Sequence, residues 1–174
     1  MGFETLWGQS LKFSIDDIAG VSVRNGRLVF LSDLEPAAVE QVPFFDRVVP
    51  YRVYQSLSGG PLQMRDGLHE RGVSVHARTV LHYDLGGKYQ KFRGVVGFEH
   101  PAGSIGRAAV RVLGDDRPLF DKPDLSGADA PEKLDLDVAS VRRLSLVVDF
   151  GENQDVGDRL IWADAHVIRA AVER

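Results

Sequence analysis

Asp158, Arg159 and Trp162 fall close together where an acidic turn gives way to an apolar run. These residue types suit a small polyhydroxylated ligand: an indole face stacks on C–H bonds, while a carboxylate and a guanidinium fix hydroxyls. The indole could instead anchor the last strand from inside, and because large aromatics are mostly buried this second role has the stronger general claim. His76 ends the alternating segment Gly72-Val73-Ser74-Val75-His76, in which Val73 and Val75 face one way and Ser74 and His76 the other. Its imidazole could donate to a ligand hydroxyl or satisfy a buried carbonyl, and both roles stay open. Arg78 follows two residues later and adds a donor fork beside it. The candidate polar contacts are therefore His76, Arg78, Asp158 and Arg159, with Trp162 as the stacking face.

The loop from Asp149 to Asp158 carries Glu152, Asn153 and Asp155, all oxygen donors of the kind calcium takes. Asp149, Asp155 and Asp158 are its metal candidates, but the spacing does not match the calcium-loop pattern, and a solvated acidic turn accounts for it more simply. No cofactor is expected; a structural calcium is the alternative. His69, His82, His100 and His166 are too dispersed for a metal site by spacing. The chain has no cysteine, which removes disulfides, thiolate ligands and thiol nucleophiles together. Asp84, Glu99 and Asp149 could supply a hydrolytic carboxylate pair, but any acidic sheet protein offers such pairs. There is no nucleophile elbow, phosphate-binding glycine loop or His-Glu-X-X-His element, so no enzyme is expected.

These residues need a frame, and short strands provide it. Predicted strands cover about 62–64, 72–75, 79–85, 91–98, 108–113, 117–120, 132–137, 143–149 and 161–169, separated by turn signals such as Asp66-Gly67, Gly86-Gly87 and Gly114-Asp115-Asp116. No helix-length periodic segment lies between them, which favours an antiparallel β-sandwich with jelly-roll connections. Alternation on both sides of Gly86-Gly87 reads as two strands of one antiparallel sheet. Ser32 or Asp33 could cap a short helix at residues 35–40. Residues 42–61 read as an aromatic loop followed by an edge strand. At the start, alternation over residues 11–23, the Asn25-Gly26 turn and Leu28 to Leu31 read as a hairpin. The expected division is residues 1–27 as that hairpin, the tail of an upstream β-domain in one reading, and residues 28–174 as the sandwich.

A length of 174 residues suffices for a substantial core. The formal net charge of −4, with cations interspersed among acids, offers no basic field for a phosphate backbone, so nucleic acid is not an expected partner. No apolar run is long enough to insert into a membrane, and the first residues carry no secretory signal pattern.

Four blocks resemble a known family in order and content: Leu31-Ser32-Asp33-Leu34, residues 71–97 with Gly72, His76 and Tyr83-Asp84-Leu85, residues 110–120, and residues 144–165 ending in Trp162-Ala163-Asp164-Ala165. Together they span most of residues 28–169 and resemble the NPCBM family of carbohydrate-binding modules, which are appended to secreted glycosidases. The resemblance implies a galactose-binding-like jelly roll, a glycan partner of possible galactose type, a place in a larger multidomain protein, and an exported or extracellular location. Two departures stand out. The family's closing Asp-His-X-Asp-Trp is Asp158-Arg159-Leu160-Ile161-Trp162 here, and Glu99 replaces a usual aspartate. The expected function is noncatalytic glycan binding at a shallow loop site; the alternative is a protein-interaction or structural module that has lost sugar binding.

Overall fold

The protein is described here by a computed structural model, which covers residues 27–44, 48–152 and 154–169, together with the backbone of two short strands, β1 (Gly2–Glu4) and β2 (Ser10–Lys12). β1 and β2 pair antiparallel. The expected Asn25-Gly26 turn lies outside the described residues. The strands that follow are β3 (Leu28–Phe30), β4 (Ala38–Gln41), β5 (Arg52–Val53), β6 (Leu62–Met64), β7 (Gly67–His69), β8 (Gly72–His76), β9 (Thr79–Asp84) and β10 (Tyr89–Phe98). The series ends with β11 (Arg107–Gly114), β12 (Arg117–Ser126), β13 (Glu132–Asp137), β14 (Arg143–Phe150) and β15 (Arg159–Arg169).

Two antiparallel sheets stack to make a sandwich. One has the order β13-β10-β15-β8-β5, with β3 also paired to β15, and the other runs β12-β11-β14-β9-β4. Their inner faces share one core, in which Val73, Val75, Phe92, Val96, Leu160 and Trp162 meet Leu81, Tyr83, Val110, Val112, Leu146 and Val148. Strict alternation along β11 buries Ala108, Val110 and Val112 and turns the residues between them outward. In β15 the inward set changes parity, from Leu160 and Trp162 to Ala165 and Val167. A register shift opposite Arg93 and Val95 produces this change, and Asp164 takes φ +51° within it. A smaller cluster on the outer face, Leu62, Met64, Ile161 and Ala163, lies under the β6–β7 hairpin.

Two local expectations are corrected. Residues 35–40 do not form a helix. Ala38–Gln41 is an edge strand laddered to β9, from Ala38 opposite His82 to Gln41 opposite Thr79, and Ala37 extends the ladder by donating to the His82 carbonyl (2.8 Å). A cap is worth about 1 kcal/mol, and a ladder that satisfies successive backbone groups outweighs it. Nor do the strands flanking Gly86-Gly87 share a sheet. β9 pairs with β14 and β4, whereas β10 pairs with β13 and β15, so the turn carries the chain between layers. Both glycines have positive φ, +60° and +70°, which lets them make that crossing without side-chain strain.

Candidate functional site

β8 ends at His76, and the chain crosses through Ala77 and Arg78 to begin β9 at Thr79. Hydrogen bonds hold this corner. The Thr79 hydroxyl donates to the His76 carbonyl (2.6 Å) and accepts from Gln41 Nε2 (3.3 Å). Gln41 Nε2 also donates to the Val49 carbonyl (2.7 Å), which draws the 48–50 segment against the corner. The Ala77 N–H donates to the Asp158 carbonyl (3.3 Å), and Arg159 lies directly opposite His76 in the ladder.

Beside this corner opens a cleft of about 560 Å³. Its apolar lining is Val48, Val49, Pro50 and Leu57, and its polar lining is Arg52, His76, Asp155 and Arg159. Strand parity explains the selection. Val73 and Val75 point into the core, so Ser74 and His76 point outward, and their ladder partners Arg52 and Arg159 share that outer face. Arg78 lies in a small adjoining recess with Val42, Ala77 and Thr79.

The cleft's donors are pre-oriented. His76 Nδ1 donates to the Ala77 carbonyl (2.8 Å), which makes Nε2 the unprotonated acceptor of the neutral ring. Of the two roles open for His76, the carbonyl bond uses one nitrogen and leaves the other for the cleft. Arg159 Nη1 donates to Ser58 Oγ (2.8 Å) and Arg52 Nη1 to Gln55 Oε1 (3.4 Å), so both guanidiniums are moored to the same 55–60 turn. Gly59, at φ +89°, lies in that turn, where a Cβ would stand 3.4 Å from Arg52 Nη1.

Two of the expected site residues are not at the surface. Trp162 is 1% exposed and belongs to the core, opposite Val73 and Val96, so its ring offers no stacking face to a ligand. It anchors the last strand from inside, because residue 162 falls on the inward parity of β15 and burial of its large apolar ring offsets the cost of an Nε1 that finds no hydrogen-bond partner. Asp158 is fully buried, with Oδ1 accepting from the Arg107 N–H (3.0 Å) and Oδ2 without a partner. Burial pushes its carboxyl up to about 7, against the lowering by the Arg107 N–H and with a further rise from the charge of Asp155. It supports the corner from beneath and is not part of the cleft's lining.

The metal candidates do not converge. Asp149 is held by Arg111 (2.9 Å) and more loosely by Arg78 (3.7 Å), and among the described residues no three His, Asp or Glu side chains gather in a way that could hold an ion. Asn153 lies outside the described residues. Reading the sequence missed Arg52, Val48, Pro50 and Leu57. All four lie in the irregular 42–61 stretch, where no periodicity tells which side chain turns toward which strand. Among the described residues no helix is long and apolar enough to cross a membrane.

The NPCBM/NEW2 domain model matches residues 27–168. The chain belongs to this family. NPCBM domains are carbohydrate-binding modules, and this one is similar over 113 residues, at 24% identity, to a protein of Renibacterium salmoninarum named "Putative endo-alpha-N-acetylgalactosaminidase". The match takes in 65% of this chain but 8% of that relative's length. Among solved structures, the CBM51 of a Clostridium perfringens GH95 protein, in complex with methyl-galactose, superposes with TM-score 0.71 at 23% identity, covering 80% of this chain and 99% of that one. The M60 catalytic domain with two CBM51 domains of Clostridium perfringens ZmpB matches with TM-score 0.73 at 22% identity, covering 83% of this chain and 15% of that one. The two structural likenesses share the β-sandwich fold of this NPCBM domain.

Proposed function

We propose that this NPCBM domain binds a saccharide, without altering it, in the cleft lined by Arg52, His76, Asp155 and Arg159. The observation that carries the reading is the cleft itself, whose lining combines hydrogen-bonded donors and acceptors with the apolar Val48, Pro50 and Leu57. That pairing suits a pyranose, whose hydroxyls need directed partners while its C–H face needs apolar contact. Aliphatic side chains take the part first assigned to Trp162. A galactose-type sugar is the first ligand to test, given the methyl-galactose complex of the CBM51 neighbour. Binding is expected to be modest, because a small ligand in an open cleft buries little area.

The domain contributes attachment and not hydrolysis in this reading. Asp155 is the one carboxylate among the described lining residues, whereas glycoside cleavage takes two facing each other across the bond. The parent is taken to be a larger exported protein with a glycan-directed catalytic part, in line with the small share of its relative that the chain spans. Two substitutions tested on a glycan array and by calorimetry decide the matter. His76→Ala should abolish saturable binding in a protein that still melts cooperatively, and Trp162→Phe, which alters only the core, should leave affinity within about twofold. Silence across neutral and charged glycans would instead favour an interaction module, and loss of affinity in Trp162→Phe with stability unchanged would return the ring to the site.

A further inference from the structure

Among the described residues Arg65, Arg117, Arg142 and Arg169 share with the two arginines of the cleft the lack of an ion pair, but of these only Arg52 and Arg159 line this cleft, while other arginines are paired with aspartates. Arg71 pairs with Asp33, Arg93 with Asp135, Arg107 with Asp124, Arg111 with Asp149 and Arg143 with Asp84. Acids outnumber basic residues, 25 to 21, so carboxylates are plentiful. Yet among the described residues neither Arg52 nor Arg159 forms an ion pair. Each is moored by one N–H to a neutral acceptor, Gln55 Oε1 or Ser58 Oγ, and each keeps the rest of its fork for another partner. Asp155 is the one acid among the described lining residues of the same cleft, so two guanidiniums face a single carboxylate there.

From this imbalance we infer that the cleft is built for an anionic saccharide, one whose ring carries a carboxylate or a sulfate ester, with Arg52 and Arg159 receiving the charged group. The inference rests on the saccharide reading of the cleft and names the ligand class within it. A guanidinium matches both anions because its N–H groups present a planar fork to paired oxygens. Mooring the two side chains to one turn spends their rotamer entropy before the ligand arrives, which favours affinity over a pair of free surface arginines. The apolar wall of Val48, Pro50 and Leu57 then takes the C–H face of the ring, and His76 Nε2 accepts from a hydroxyl.

Calorimetry with methyl galactoside, galacturonate and galactose 6-sulfate, each at low and high ionic strength, tests the inference. At least one anionic sugar should bind about tenfold or more tightly than the neutral one, the range expected of hydrogen bonds to a charged group, and added salt should erode the advantage. Which anion gains distinguishes a uronic acid from a sulfated sugar. Arg52→Gln and Arg159→Gln should each reduce the preference, and Arg159→Lys should retain part of it by keeping the charge. If a glutamine variant fails to melt cooperatively, the salt dependence of the unaltered protein decides alone. Equal affinity for charged and neutral sugars, or a preference insensitive to salt, would overturn the anionic assignment while leaving saccharide binding intact. No binding by any of the three would remove both.

Discussion

Asp158→Asn offers the sharpest test of how the corner beneath the cleft is built. The carboxyl, ordinarily near 3.8, is pushed up to about 7 by burial, and its Oδ2 has no partner to stabilise a charge. Between those two pH values the folded chain holds a proton that the unfolded chain has released. Stability therefore falls as pH rises, by about 1.4 kcal/mol per unit and at most about 4 kcal/mol across the window. The contribution is fully present below the unfolded value and lost once pH passes the folded one. Asparagine removes the titration and retains an oxygen for the Arg107 N–H (3.0 Å). Urea unfolding of both proteins at a series of pH values isolates the group, because all other titrating groups cancel in the difference. From about pH 5 to about pH 8 the gap should move against the unaltered protein by about 3 kcal/mol. A gap that is flat, or that grows in favour of aspartate as pH rises, would refute the claim that burial with Oδ2 unpartnered keeps this carboxyl protonated.

Two further outcomes follow from the frame. His69 bonds Asp164 Oδ2 (2.8 Å) and Asp66 Oδ1 (3.1 Å); burial pulls its imidazole down, but the two carboxylate bonds outweigh burial and the net shift is upward. NMR titration should place it above 6.5, and Asp164→Asn should bring it down. The stability it adds is complete below that ordinary value and disappears as pH rises through the raised one; titration at or below 6.5 would contradict the clamp. Gly72→Ala would place a Cβ 2.7 Å from the Trp162 carbonyl and 3.2 Å from Ala163 Cα, both backbone atoms of β15. It should cost about 1–3 kcal/mol in thermal or urea unfolding, and an alanine tolerated without loss would show that β8 and β15 are less closely apposed.

Much of the strand inventory was legible because half-buried strands alternate, and the alternation survives in single residues such as Val73, Ser74, Val75 and His76. What local pattern could not supply was pairing. Asn25-Gly26, Gly86-Gly87 and Gly114-Asp115 look alike as turn signals, but the second bridges two layers while the third closes a hairpin between β11 and β12. The helix expected at 35–40 failed for a related reason. Its capping signal is local, and the β9 edge that captures the segment lies some forty residues away in the chain.

The site divides in the same way. Alternation in the chain itself aimed His76 outward, and the run of motifs from Gly72 to Ala165 was enough to place the family, since both depend on residue type and spacing alone. The three-dimensional arrangement decided which aromatic is reachable and which charges are left uncompensated. Trp162 is inward because the parity of β15 near its start is set by pairing with Val73 and Val96, and that parity reverses only at the bulge beyond it. Arg52, far from Arg159 in the chain, joins it because β5 and β15 flank β8 on the same outer face. Side-chain period is a property of one strand, whereas the meeting of two guanidiniums in one cleft is a property of register among three.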